Sequence, residues 1–471
     1  MFEEDYQGEE RIQNVNKYED LLKKKEPIFF DVEEFEGIID FYIENNQINS
    51  AYRATHIASR LYPSSVEILL KKSQLLIDKD KPEEALKTLN NLRFIDPGNA
   101  DIFLAIGISL IKMERVTEAC RNIDKSFDLS NKEDALDILM AAADQLHVSG
   151  YQEEAAKYWQ RALEFSPENI NVLFDYAVFC TETKANEKAI ELLNTAIEID
   201  PFFEISWYNL AFAYSNNSDF IHAIEALDYA IAIEPDYPEA LYMKGLCHFY
   251  LSDNKEAISA LVECISLDSL NVDALKLLSA SYSAERDYEN AKYFLSQYLK
   301  LLPDQHDSLF DYGLLWFESG NSVKALKFIK KAIQLSPQSY LYYLNYGMVC
   351  LESDMLTEGY SFVKKAMKMN PDDYRSWLLM AGYKEQMEST LEALKTTIAA
   401  IRHFKDENYY LFYFYLSFYN FKMGRQRSGL RYFDKANALN EINFADFEVL
   451  QDNKNMVKFQ KFLIKAKRLK K

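Results

Sequence analysis

The stretch Pro201–Pro235, PFFEISWYNLAFAYSNNSDFIHAIEALDYAIAIEP, decides the fold. In a window beginning at Glu204, the residues Trp207, Leu210, Ala211 and Tyr214 fall at positions 4, 7, 8 and 11. They form one stripe of a first helix. Ala223, Leu227 and Ala230 at positions 20, 24 and 27 form one stripe of a second helix. The small residues Ala211 and Ala223 stand where the two helices must approach closely, and Pro235 at position 32 cannot continue the second helix. One such hairpin leaves its apolar face open to water, so copies must stack beside it.

The copies are present. Position 32 reads Pro63, Pro97, Asn131, Pro167, Pro201, Pro235, Ser269, Pro303, Pro337, Pro371, Lys405 and Glu441, in steps of 34 residues with two steps of 36. Position 20 is Ala or Gly in every window, from Ala51 to Gly429. Position 8 is Gly, Ala or Ser from Ser73 onward, with Ile39 the departure in the first window, while position 4 is always large. Ridges of two helices interlock only where the crossing point lacks bulk, which explains both small columns.

These columns resemble the tetratricopeptide repeat, and the resemblance runs over residues 32–443. It implies an all-α, right-handed α-α superhelix (solenoid) of about twelve helix-turn-helix units. The windows are 32–65, 66–99, 100–133, 136–169, 170–203, 204–237, 238–271, 272–305, 306–339, 340–373, 374–407 and 410–443. Lys384, Lys405 and Asn420 depart from the usual residue types in the last two units, as terminal repeats do. Residues 1–31 carry an acidic excess and form either a solvated segment or one capping helix through Ile12, Val15, Tyr18, Leu21 and Leu22. Residues 444–471 read as a C-terminal capping helix with a basic tail; from Met456 onward there are seven Lys/Arg and no acid.

Composition agrees with long helices and short connections: 471 residues hold only 13 Gly and 11 Pro. The net charge of −20 disfavours nucleic acid, whose phosphates call for a basic stripe, and suits a basic partner. Five dispersed cysteines without a CxxC pair read as reduced thiols. The acidic N-terminus lacks a secretory pattern, and no apolar run reaches the ~20 residues of a membrane span. A cytoplasmic protein is expected. Neither a phosphate-cradling glycine loop, a metal-ligand spacing of the six histidines nor a nucleophile elbow is visible, so no cofactor, metal or catalytic residue is expected, and the chain is not read as an enzyme.

In arrays that this chain resembles, the first helix of each unit lines a concave groove through positions 2, 5, 6, 9, 12 and 13. Carried over position by position, the resemblance implies partner-binding residues Asn171, Phe174, Asp175, Tyr208, Asn209, Phe212, Tyr242, Phe310, Asp311 and Asn345. Rings with intermittent amides and carboxylates suit an extended peptide. The family's clamp for chaperone tails requires Lys or Arg with Asn, and pairs such as Glu36/Asp40, Met140/Asp144 and Phe174/Val178 do not reproduce it. In the last unit NYYLFYFYLSFYNF (408–421) is apolar all round. Phe414 and Phe418 there either pack under the C-terminal cap or form a partner or homodimer surface. The expected function is a non-catalytic scaffold or adaptor. A peptide-responsive regulator and an accessory subunit of a glycosyl-transfer or secretion assembly are the alternatives.

Overall fold

The computed structural model describes residues 2–404 and 410–439 together with Phe459 and Lys461. The chain divides into two compact units, Met1–Pro235 and Asp236–Lys471. In the first unit α1 (Phe2–Lys24) precedes six hairpins: α2/α3 (Val32–Glu44, Ile48–Leu61), α4/α5 (Val66–Asp78, Pro82–Ile95), α6/α7 (Ala100–Lys112, Val116–Leu129), α8/α9 (Asp134–Val148, Gln152–Phe165), α10/α11 (Ile170–Glu182, Asn186–Ile199) and α12/α13 (Glu204–Asn216, Phe220–Ile233). The second unit holds α14/α15 (Pro238–Tyr250, Asn254–Leu267), α16/α17 (Val272–Ala284, Tyr288–Leu301), α18/α19 (His306–Glu318, Ser322–Leu335), α20/α21 (Tyr340–Glu352, Leu356–Met369), α22/α23 (Tyr374–Met387, Thr390–His403) and α24/α25 (Tyr410–Lys422, Gln426–Leu439). No strand occurs among the described residues. The architecture is an all-α solenoid of stacked hairpins.

Each hairpin is made the same way. A side-chain cap opens many of the first helices: Asp31 Oδ1 accepts from Glu34 N at 2.8 Å, and Asn169 and Asn271 do likewise for α10 and α16. The chain then turns through one residue in the left-handed region at position 15. Eleven of the twelve hairpins have it, mostly on non-glycine residues such as Asn46, Glu114, Lys184 and Arg286. The exception is α22/α23, where α22 runs to Met387 and the Ser389 hydroxyl caps α23 by accepting from Glu392 N at 3.3 Å.

The crossing point shows why its column is small. A Cβ on Gly107 would meet Ile123 Cγ1 at 2.5 Å, and one on Gly347 would meet Val363 Cγ2 at 2.2 Å. Where position 8 is serine, the hydroxyl makes itself useful there: Ser279 Oγ donates to Ala291 O at 2.8 Å and Ser417 Oγ to Gly429 O at 2.6 Å. Ile39, the large departure in the first hairpin, faces the small Thr55 at position 24, and both are fully buried. Volume has been exchanged across the crossing rather than added.

The 36-residue step after Asn131 is taken up at the start of α8. Asn131 Oδ1 accepts from the backbone N–H groups of Glu133 and Asp134, each at 2.8 Å, and the helix begins two residues ahead of the regular position. The second long step, at Lys405 to Glu441, falls on residues outside those described, as does residues 444–471 apart from Phe459 and Lys461. At the other end, α1 lies on the first hairpin. Tyr18 is buried against Phe30, Phe35 and Tyr42 at centroid distances of 6.2, 6.5 and 6.2 Å, and Arg11 pairs with Glu44 at 2.9 Å.

Within each unit the first helices of neighbouring hairpins touch one another: α2 with α4, α4 with α6, α6 with α8 and α10 with α12, then α14 with α16 and α20 with α22. Among the described residues no two neighbouring second helices approach as closely. The first-helix side is therefore the inner side of each stack.

Candidate functional site

The inner face is built from positions 2, 5, 6, 9, 12 and 13 of the first helices, since positions 4, 7, 8 and 11 are consumed by the hairpin crossing. In the first unit the Phe174 ring meets Phe203 edge-on at 5.7 Å, half-buried. Asp175 stands beside it. Burial raises the pKa of Asp175 and the charge of Asp144 on α8 raises it further. Asp144 is raised in turn by its surroundings, with His147 pulling the other way. Asn171 is exposed at the start of α10, where its backbone N–H is held by Asn169 Oδ1 at 3.0 Å. On α12, Asn209 donates one amide hydrogen to Ile205 O at 2.9 Å, Tyr208 is half-buried and Phe212 remains 41% exposed.

In the second unit Tyr242 is half-buried on α14. Phe310 stacks on Tyr342 at 4.5 Å with 26° between the planes, so α18 and α20 are joined ring to ring. The Tyr342 hydroxyl donates to Asp307 Oδ1, and His306 Nδ1 lies 2.9 Å from both the Tyr342 oxygen and Asp307 Oδ1. The Tyr342 hydrogen bond holds the Asp307 carboxyl below its usual range. Asp311 behaves oppositely. Its surface is open to water, yet protein surrounds it in the hollow of the face; that crowding raises its pKa more than the Lys276 charge lowers it. Asn345 repeats the arrangement of Asn209, donating to Leu341 O at 2.8 Å. Glu352 is likewise raised by desolvation and then by Glu318.

The structure thus brings Phe174 and Asp175 together with Phe203 and Asp144, and Phe310 and Asp311 together with Tyr342, Asp307 and Lys276. Phe414 and Phe418 are placed differently. They are 0% and 2% exposed and lie in the core of the last hairpin, packed against Phe459. A ring supplied from 45 residues beyond Phe414 covers them.

Three participants had no sequence signal of their own. His147 spans Gln152 Oε1 at 2.7 Å and Glu182 Oε2 at 2.5 Å, which outweighs burial and raises its pKa. His306 and Tyr342 act across consecutive hairpins. Only the spacing of Asp144 and Asp175, positions 9 and 6 of successive windows, could have been read beforehand.

A separate groove of about 890 Å³ opens between α7 and α9 on the other side of the first unit. Part of its polar wall is paired: Tyr158 donates to Asp124 at 3.1 Å and Arg161 to the same oxygen at 2.6 Å. Burial raises the pKa of the Cys120 thiol there. Among the described residues no group of His, Cys, Asp and Glu is arranged to hold a metal ion.

Family profiles described as tetratricopeptide repeat match residues 153–211, 205–237, 238–269 and 278–340. The chain is a tetratricopeptide-repeat protein. Similar solved structures include the C-terminal part of a TPR repeat-containing protein from Cytophaga hutchinsonii, with 15% identity over 51% of this chain and 98% of that one, TM-score 0.42. A tetratricopeptide repeat protein from Parabacteroides merdae matches at 16% identity over 53% of this chain and 98% of its own, TM-score 0.39. MamA from Desulfovibrio magneticus matches at 18% over 36% and 97%, TM-score 0.35. A search of curated protein sequences finds no match. As a tetratricopeptide-repeat array the protein is a protein-interaction scaffold, and none of its described helices is long and apolar enough to cross a membrane.

Proposed function

We infer that this tetratricopeptide scaffold is non-catalytic and holds extended peptide segments carrying Lys or Arg along the inner face of its first helices. The observation that carries this reading is the set of inner-face carboxylates, Asp144, Asp175, Asp311 and Glu352, whose charged forms are disfavoured by their surroundings and left uncompensated or only partly compensated. A cation brought by a partner relieves that penalty, so binding is favoured where the free protein is least comfortable. Rings at Phe174, Tyr208, Phe212, Tyr242 and Phe310 supply contact area beside the charges, and the second amide hydrogens and the oxygens of Asn209 and Asn345, with exposed Asn171, suit a peptide backbone. Buried thiols at Cys180, Cys264 and Cys350, all pushed up in pKa by desolvation, suit a reducing cytoplasm.

The test is peptide binding by fluorescence anisotropy to the full chain and to Asp144→Asn with Asp175→Asn. A lysine-rich peptide should lose about tenfold in affinity to the double variant, the equivalent of ~1.4 kcal/mol, and the difference should shrink with added salt. Unchanged affinity at low salt would remove the proposal. A homodimer through Phe414 and Phe418 would require Phe459 to leave them first, so sizing of the unmodified chain should report a monomer at micromolar concentration.

A further inference from the structure

The last hairpin shows the inner face already occupied. On α24, Phe414, Phe418 and Phe421 stand at positions 5, 9 and 12, and Phe459 lies among them at centroid distances of 5.9, 5.5 and 5.3 Å. Phe459 is fully buried. The same three positions on α18, Phe310, Leu314 and Phe317, are only half-buried. In sequence Phe459 is bracketed by Lys458 and Lys461, within a stretch of seven Lys/Arg and no acid from Met456 to the end. Lys461 is exposed. The chain therefore seats on its own inner face a ring, Phe459, drawn from a stretch whose sequence is cationic, the chemistry that the second unit's inner-face acids Asp311 and Glu352 call for.

We propose that the inner face of the last hairpin is a receptor for an aromatic side chain flanked by lysines, that Phe459 is its resident occupant, and that a partner segment of the same chemistry displaces it. The proposal rests on the cationic-peptide reading and adds an aromatic anchor to it. The three rings of α24 form a cup that a single ring closes, edge-on to Phe414 and Phe418 and tilted to Phe421, and edge-on pairs at these distances gain beyond area burial. The resident segment competes as a tethered ligand at an effective concentration in the millimolar range. An external segment wins when its other cations also engage acids elsewhere on the second unit's inner face, such as Asp311 and Glu352.

A fluorescein-labelled peptide with the sequence of residues 456–471, titrated by anisotropy, tests this. Against the full chain carrying Phe459→Ala it should bind at least ~10-fold tighter than against the unaltered chain, because the cup is vacant. The same peptide carrying Phe459→Ala should lose that gain. The full chain with Phe459→Leu, which keeps an apolar occupant, should tighten binding less, and its circular-dichroism melt guards against reading unfolding as an effect. Equal affinity for all three chains, or a peptide indifferent to its own ring, overturns the proposal. If the ringless peptide still binds and loses affinity to Asp144→Asn with Asp175→Asn, the anchor falls while the cationic-peptide reading stands.

Discussion

The ninth and twelfth hairpins place rings at the same position of the first helix, yet one is surface and the other core. Phe310 on α18 stacks on Tyr342 and keeps part of its face in water, whereas Phe414 on α24 has none left. Residue type does not separate them. The neighbour does: α18 is followed by α20, which contributes one stacked ring, and α24 is covered by Phe459 from far along the chain. At the crossing column the same pair again differ in chemistry and agree in geometry. Gly313 leaves room for Ile329, while Ser417 uses its hydroxyl to hold Gly429 O beside the bulkier Phe433.

Removing the ring that closes α24 should have the largest effect. Phe459→Ala deletes a fully buried side chain, for which about 3–5 kcal/mol is typical in a core. Because each hairpin contacts only its neighbours, the loss should be confined to α24 and α25. Amide hydrogen exchange should show those helices opening sooner while α18 and α20 keep their protection. Uniform loss across the second unit would contradict the local account.

The crossing column is next. Gly313→Val would force a Cβ to 2.7 Å from Ile329 Cγ1 and 3.2 Å from Ala325 O, a backbone atom that cannot rotate away. About 1–3 kcal/mol of destabilisation in urea melts is expected. Adding Ile329→Thr should recover part of it, since the first hairpin already lives with Ile39 opposite Thr55. No recovery would mean that the two columns do not exchange volume.

Much of this was legible beforehand, and the limit is physical. Positions 8 and 20 are constrained by contacts within one hairpin, so Ala, Gly and Ser recur there every 34 residues and set the helices almost to the residue. Ile39 departs from its own column because the small residue of that pair is Thr55, sixteen positions later. Left-handed residues at position 15 left a mark only at Gly150, Gly320 and Gly424, since elsewhere residues such as Glu114, Lys184 and Arg286 occupy the conformation that glycine would signal. On the inner face the resemblance to tetratricopeptide arrays implied which residues share a side, including Phe174, Asp175, Phe310 and Asp311. It could not say which would stay open, because that depends on Tyr342 in one case and on Phe459 in the other, and no periodicity links Phe414 to a residue 45 positions later.

A smaller effect should come from the network beside Phe310. Tyr342→Phe keeps the stacked ring and removes the hydroxyl that donates to Asp307. Hydrogen bonds to charged groups contribute up to a few kcal/mol; with Asp307 largely exposed, about 1 kcal/mol is expected. Asp307 is held below its ordinary pKa, so its contribution is present above the unfolded value and lost as pH falls through the folded one. The stability gap between the unaltered chain and the variant should therefore be full at pH 7 and close in the acid range below pH 4. A gap that persists there would assign the effect to packing.

The smallest change has the opposite sign and separates binding from stability. Asp311 has a folded pKa raised by its crowded position, so its charge costs stability at neutral pH and nothing below the pKa of the unfolded chain. Asp311→Asn should stabilise the protein by a few tenths of a kcal/mol at pH 7, discounted for its open surface, and by nothing near pH 3. The same substitution should weaken a lysine-bearing peptide, because the penalty it relieves is the one the peptide's cation would have relieved. Paired urea melts and anisotropy titrations measure the two sides. A variant that gains stability without losing affinity would make Asp311 a bystander and leave the rings of α18 and α20 to carry recognition. A variant that loses both would place it in the framework with Asp307, where the ninth hairpin would resemble the twelfth more than their exposures suggest.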